Sequence, residues 1–97
     1  MDLQAFRDST AKPQPPTGLS LAQQALWWDA KGDWDKAHAC AQERDDTPGM
    51  RVHAYLHRKE GDPSNAAYWY RRCGAQPSVL TLDEEWDELV RAFSQQS

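Results

Sequence analysis

The sequence predicts an all-α domain in which two antiparallel helical hairpins are closed by an amphipathic helix at the C-terminal end. Three observations lead to this expectation. Apolar residues recur at helical spacing in five segments, glycines and prolines fall between those segments, and part of the chain repeats after about 29 residues. Five helices and no strand are therefore expected.

The composition suits one folded domain. The chain has 97 residues, 39% of them hydrophobic, and includes five Trp, three Tyr and two Phe, so enough apolar surface is available to offset the entropy of chain ordering. Residues 19–97 are predicted to form this domain. Residues 1–18 are predicted to be a flexible N-terminal lead, because three prolines and Gly18 stand there in a polar context. Docking of Leu3 and Phe6 on the domain is left open.

Charge and hydropathy exclude several classes of function. Eleven Lys and Arg against fifteen Asp and Glu give a net charge of −4, so nucleic acid is not expected as a partner. No apolar run is long enough to span a membrane, and the first residues lack a secretory signal pattern, so a cytoplasmic location is expected. Cys40 and Cys73 lack zinc or redox spacing and are expected to be buried, reduced thiols. No cofactor is predicted.

The first predicted hairpin lies between residue 20 and the acidic segment that begins at residue 45. Ser20 and Gln23 form a capping-box pair at the start of the first helix, and Gly32 ends it. Asp33 can cap the second helix, which continues until residues 45–49, where Asp, Thr, Pro and Gly interrupt the pattern.

The second predicted hairpin has equally clear boundaries. Its first helix covers Met50–Glu60 and ends at Gly61. Asp62 is a suitable N-cap for the next helix, and Pro63 occupies the first helical position, where its missing N–H costs nothing. This helix is expected to end near Cys73.

The fifth predicted helix is the amphipathic one. Thr81 and Glu84 form a second capping-box pair, and an apolar stripe follows at Leu82, Trp86, Leu89, Val90 and Phe93. The core of the whole domain is predicted to contain Ala25, Trp28, Trp34, Ala37, Ala54, Ala66, Tyr70, Trp86, Leu89 and Phe93.

The internal repeat aligns residues 25–37 with residues 54–66, matching Ala, Gly-Asp and Ala at equal offsets. It resembles the tetratricopeptide repeat, whose small, aromatic and turn positions are filled in the first copy by Ala25, Trp28, Gly32, Trp34 and Ala37 and in the second by Ala54, Gly61, Ala66, Tyr70 and Cys73. The period is shorter than the family's usual ~34 residues, and His57 stands at the aromatic position of the second copy.

The resemblance implies that two helix–turn–helix units stack and that one face forms a groove for a peptide. Two hairpins are fewer than the three repeats that such folds usually need, so the fifth helix, the N-terminal lead or a second copy in a homodimer is expected to cover the remaining apolar surface. The second repeat also looks like part of a family of small, uncharacterised bacterial proteins. That likeness implies no activity.

The function predicted first is that of a small protein-interaction module. The second hairpin carries aromatic and cationic side chains that core packing does not require, and the predicted partner-binding residues are Tyr55, Arg58, Trp69 and Arg72. A protein or peptide with an acidic segment would suit this basic face. Arg58 is expected to be exposed, so reversing its charge should weaken partner binding and leave the melting temperature nearly unchanged.

The alternative is a small metal- or ligand-binding enzyme centred on His53, His57 and Glu60. These residues stand at i, i+4 and i+7, which places two imidazoles and a carboxylate on one side of a helix. Metal coordination and acid–base chemistry both use these groups. Two histidines at helical spacing are also compatible with simple packing, and no known metalloenzyme motif surrounds them.

Overall fold

The computed structural model describes residues 2–94, which form six α helices and no strand. The helices are α1 (Leu3–Ser9), α2 (Leu21–Ala30), α3 (Trp34–Gln42), α4 (Thr47–Lys59), α5 (Pro63–Arg72) and α6 (Leu82–Ser94). The all-α prediction is confirmed. Helices α2 and α3 form one antiparallel hairpin, α4 and α5 form the other, and α6 packs against α1, α2 and α4. None of the helices in this part of the chain is long and apolar enough to cross a lipid bilayer.

Helix α1 corrects the predicted flexible lead. Asp2 caps it by accepting a hydrogen bond from the Ala5 N–H at 2.8 Å. Phe6 is only 1% exposed, and its ring centroid lies 5.7 Å from that of Trp86 on α6. The expectation of flexibility is therefore wrong for residues 3–9, because an apolar side chain in this short segment reaches the core. The prolines that favoured an extended lead begin only at residue 13, after α1 has ended.

The two hairpin turns have the same construction. Gly32 and Gly61 adopt φ angles of 83° and 89°, a left-handed conformation that glycine enters without steric cost. The following N–H groups, of Asp33 and Asp62, donate to carbonyl oxygens five residues back at 3.0 and 2.9 Å. These are Schellman turns, and each aspartate then caps the next helix. The turn residues read from the sequence are confirmed, while the likeness to tetratricopeptide repeats remains a prediction.

Helix α4 begins three residues earlier than predicted. Its N-cap is Asp46, whose side chain accepts from the Gly49 N–H at 2.9 Å. Pro48 lies in the first turn, where no intrahelical donor is required, so it starts the helix instead of breaking it. The prediction that α4 starts at Met50 is wrong for this reason.

The main core lies where α2, α3, α4 and α6 meet, and a smaller cluster of Ala54, Ala66 and Tyr70 lies between α4 and α5. All the predicted core residues are buried except Trp28 and Trp34, which are half-buried. The fully buried tryptophan of α2 is Trp27, whose Nε1–H donates to Ser9 Oγ of α1 at 3.2 Å.

One buried carboxylate of α6 forms hydrogen bonds with both helices of the second hairpin. Glu85 is 0% exposed and accepts from Arg51 Nη1 at 2.6 Å, Arg58 Nη1 at 2.8 Å and the Tyr70 hydroxyl at 2.5 Å. Arg58 also donates to the backbone carbonyl of Leu80 just before α6. Burial and the hydrogen bond to Glu85 raise the pKa of Tyr70 to about 12. The network joins α4, α5 and α6 through fully paired groups.

The two cysteines are free thiols. Both are half-buried, whereas buried thiols were predicted. Cys73 Sγ donates to the Tyr70 carbonyl at 3.3 Å, and burial raises the pKa of Cys40. A raised thiol pKa disfavours the thiolate that nucleophilic or metal chemistry would need.

Candidate metal centre

The three histidines of the chain converge at one place. His38 comes from α3 of the first hairpin, and His53 and His57 come from α4 of the second. One ring nitrogen of each lies within 4.8 Å of the other two. We refer to these three side chains as the histidine cluster.

Helix geometry explains how the cluster forms. His53 and His57 are one turn apart on α4 and share a face, so their rings stack with centroids 4.7 Å apart. The approach of α3 to α4 depends on Gly49, where an added Cβ would lie 2.8 Å from the carbonyl oxygen of Ala41. Because no side chain fits there, the first turn of α4 lies directly against the end of α3. In this packing of α3 on α4, His38 Nε2 lies 2.9 Å from His53 Nε2.

Two tryptophans enclose the cluster. The Trp34 ring stacks on His38 at a centroid distance of 4.8 Å and an angle of 13°. The Trp69 ring stacks on His53 at 3.9 Å and 15°. Trp34 is held in place because its Nε1–H donates to the Leu56 carbonyl at 3.0 Å. The His38 and His53 rings therefore each have a tryptophan ring packed on one face.

Hydrogen bonds determine which nitrogens are free. His38 Nε2 and His53 Nε2 are 2.9 Å apart, so one of them carries a proton and donates a hydrogen bond to the other. His57 Nδ1 lies 2.5 Å from Glu60 Oε1. Because a carboxylate oxygen accepts, His57 donates from Nδ1, which leaves Nε2 as the ring nitrogen able to bind a metal ion. The arrangement is typical of a ligand histidine oriented by a carboxylate.

Burial favours the neutral form of His38 and His53. Burial, followed by the charges of His38, His57 and Arg72, lowers the pKa of His53 to about 4. Burial is also the main cause that lowers the pKa of His38. His53 and His57 are 5% and 7% exposed. A neutral imidazole is the form that binds a metal ion, and the lowered pKa values of His38 and His53 favour that form at neutral pH.

The metal-free protein is expected to lose stability as the pH falls from about 6.5, the ordinary value for His53, to about 4, its value in the folded protein. In that interval the unfolded chain takes up a proton that the folded chain does not, so acid favours unfolding. The loss should be at most about 3 kcal/mol. Urea unfolding of chelator-treated protein across this pH range measures it.

Carboxylates also titrate near the lower end of this range, so the informative quantity is the difference between two proteins. His53→Asn removes the titrating group and should show a smaller fall in unfolding free energy over the same interval. Equal falls in the two proteins would mean that His53 titrates normally in the folded state.

The residues of the alternative predicted from the sequence do come together, but in different roles. His53 and His57 supply ring nitrogens to the cluster, whereas Glu60 accepts a hydrogen bond from His57 Nδ1. The third nitrogen belongs to His38, which sequence reasoning missed. No local pattern identifies His38, since it lies 15 residues from His53 and on another helix; the one available signal is that it is the third of only three histidines.

The four predicted partner-binding residues are divided between interior and surface. Tyr55 is 2% exposed and donates to Asp29 Oδ2 at 2.7 Å, and Arg58 is bonded to the buried Glu85. The expectation of an exposed Arg58 with no part in the fold is not met.

Trp69 and Arg72 lie nearer the surface. Trp69 is half-buried against His53, and exposed Arg72 pairs with Asp45 at 3.0 Å. The Arg72 guanidinium carbon lies 4.9 Å from the Trp69 ring centroid. These two residues therefore form a stack that leads from the surface to the histidine cluster.

A cavity of about 410 Å³ lies elsewhere, between α1, α2, α4 and α6, and four of the five charged residues that line it form two ion pairs. There Lys59 Nζ donates to Asp29 at 2.8 Å, and Arg7 donates to Asp87. Within residues 2–94, the histidine cluster is the one group of His, Cys, Asp or Glu side chains arranged to hold a metal ion. No family model, curated protein or solved structure matches the chain.

Proposed function

We propose that this protein binds one divalent transition-metal ion through His38, His53 and His57. The observation that carries the proposal is the convergence of every histidine of the chain, with one ring nitrogen of each inside 4.8 Å. Nitrogens bonded to one tetrahedral ion at about 2.0–2.1 Å are roughly 3.3–3.4 Å apart. Small side-chain rotations that break the His38–His53 hydrogen bond would bring the three nitrogens to this spacing.

The donor set indicates the class of ion. Imidazole nitrogen suits zinc, copper, nickel and iron, whereas calcium and magnesium prefer oxygen ligands. No thiolate belongs to the cluster within the described residues, and the pKa of Cys40 is raised. Zinc is therefore a suitable first probe, since it needs no redox partner and accepts three imidazoles.

Glu60 supports the proposed site without being a ligand. Its Oε1 accepts a hydrogen bond from His57 Nδ1 at 2.5 Å. This bond favours the tautomer protonated at Nδ1 and leaves Nε2 on the side of the ring away from the carboxylate. Carboxylates in this position orient ligand histidines and raise their basicity, and removing one typically lowers metal affinity by about 10–100-fold. Glu60→Gln should therefore bind zinc more weakly but still bind it.

Zinc is expected to stabilise the folded protein. At free zinc about 100-fold above the dissociation constant, the gain is about 2.7 kcal/mol, because the ion binds the folded state in preference to the unfolded one. For a domain of this size that corresponds to a rise of roughly 10–20 °C in melting temperature. Thermal melts of chelator-treated protein with and without zinc measure the shift, and calorimetric titration should give one ion per chain.

A matched pair of variants tests the ligand set. His38→Gln removes one donor and should abolish the zinc-dependent shift. Ala39→Gln places the same side chain on the next residue of α3, where the native alanine is exposed, and should keep the shift. If His38→Gln retains the full zinc response, the ion does not bind at the histidine cluster and the proposal is wrong.

A second candidate function is the binding of a protein or peptide by the exposed side of α5. Tyr68 is 46% exposed, and the Arg72 guanidinium lies over it at 5.8 Å from the ring centroid. Exposed aromatic and arginine side chains are enriched in interfaces. An acidic peptide that binds the native protein and His38→Gln equally, but not Arg72→Glu, would assign this surface a role of its own.

A further inference from the structure

The histidine cluster supplies three donors, one fewer than a closed tetrahedral site requires. Among the described residues, no thiol or carboxylate belongs to the cluster. Glu60 is not a member of the cluster, and its Oε1 accepts a hydrogen bond from His57 Nδ1, the ring nitrogen opposite Nε2. Structural zinc sites use four protein ligands, whereas three protein ligands leave a position that water or a substrate fills.

Of the three histidines, His38 is the most exposed to solvent. His53 and His57 are almost fully buried, whereas His38 is half-buried. Trp34 and Trp69 cover the faces of the His38 and His53 rings and do not provide donors, since an indole nitrogen carries its proton and has no lone pair to give. The side next to His38 is therefore where a small molecule would enter.

The charge at this position favours an anion. Three neutral imidazoles leave both positive charges of a divalent ion uncompensated. Arg72 lies behind Trp69, 4.9 Å from its ring centroid, and its own charge is paired with Asp45. The nearby carboxylate of Glu60 is already bonded to His57. A ligand bonded to the ion at about 2 Å experiences the ion's charge far more strongly than that of groups several ångströms further away.

We infer that the fourth coordination position of the histidine cluster binds a small exogenous anion in exchange for water. This inference rests on the proposed metal centre. It makes the centre an open site, of the kind that acts on or senses a ligand, in contrast to a closed site that only holds two hairpins together.

Cobalt(II) in place of zinc provides the test, because its visible absorption bands report the ligands around the ion. Adding Co²⁺ to the chelator-treated full chain should produce bands that His38→Gln does not show. Azide, a small anion, should then shift these bands in a saturable titration with one azide per cobalt. Ala39→Gln, which keeps all three histidines, should respond to azide as the native protein does.

The outcomes separate the two proposals. If Co²⁺ produces no bands, the metal centre itself is wrong. If the bands appear and neither azide nor neutral imidazole changes them, a fourth group of the protein closes the site and the inference fails while the metal centre stands. Bands that respond to imidazole but not to azide would overturn the assignment of an anionic ligand.

Discussion

Replacing Arg58 with Glu is expected to lower the melting temperature by more than about 10 °C. Arg58 donates to Glu85, whose side chain is 0% exposed, and the replacement would place a second carboxylate against it. Breaking a buried ion pair typically costs about 3–5 kcal/mol, because the remaining charge stays buried without its partner. Arg51 remains bonded to Glu85 at 2.6 Å, so the loss should fall short of complete unfolding.

Arg71→Glu is the matched control, since it makes the same charge reversal at an exposed position of α5. It should change the unfolding free energy by no more than about 0.5 kcal/mol. Urea unfolding of the two variants beside the native protein gives the comparison. Equal, small changes in both would mean that Arg58 lies on a free surface, as the sequence alone predicts.

Phe6→Ala should destabilise the protein by about 3–5 kcal/mol, the usual cost of truncating a fully buried phenylalanine. Phe6 is 1% exposed and packs on Trp86, so the change leaves a cavity between α1 and α6. Chemical unfolding measured by tryptophan fluorescence should show a lower midpoint with little change in slope.

Gln4→Ala provides the control on the same helix, because Gln4 is exposed and its amide bonds only to Asp8. This variant should remain close to the native protein in stability. A cost below about 1 kcal/mol for Phe6→Ala would restore the flexible lead that the prolines predict, since typical cavity costs for a docked phenylalanine are well above that value.

The features that the sequence predicts correctly are those encoded within a few residues. The capping box of Ser20 and Gln23, the caps at Asp33 and Asp62, and the turn glycines all appear where expected. Each depends on a backbone group and a side chain no more than three residues apart, or on one φ angle. Local chemistry alone decides them.

The residues whose surroundings the sequence predicts wrongly make contacts with distant segments of the chain. Tyr55 was expected in a groove, but its hydroxyl bonds to Asp29, 26 residues away. Helical periodicity cannot predict such a partner, because it identifies a face without saying what covers it. The same reason explains Trp27, whose indole N–H bonds to Ser9 of α1, in the segment predicted to be a flexible lead.

The candidate site also combines features encoded locally with contacts between distant segments. The spacing of His53 and His57 predicts one side of the site, because both lie on a single helix. His38 lies on the other hairpin, and only the packing of α3 on α4 brings its Nε2 to 2.9 Å from that of His53. Two of the three proposed ligands were therefore predictable, and the third required the tertiary structure.

The contact at Gly49 places an evolutionary constraint on a residue that supplies no ligand. A Cβ there would meet the carbonyl oxygens of Ala41 and Arg44 at 2.8 and 3.0 Å, so a replacement would require the backbone where the two hairpins join to shift. At the other four glycines of the chain, an added Cβ would meet nothing within 4 Å. A genomic signature for this centre should therefore combine three histidines with a glycine four residues before the second of them, since a sequence that keeps the imidazoles and loses this glycine would lose their alignment.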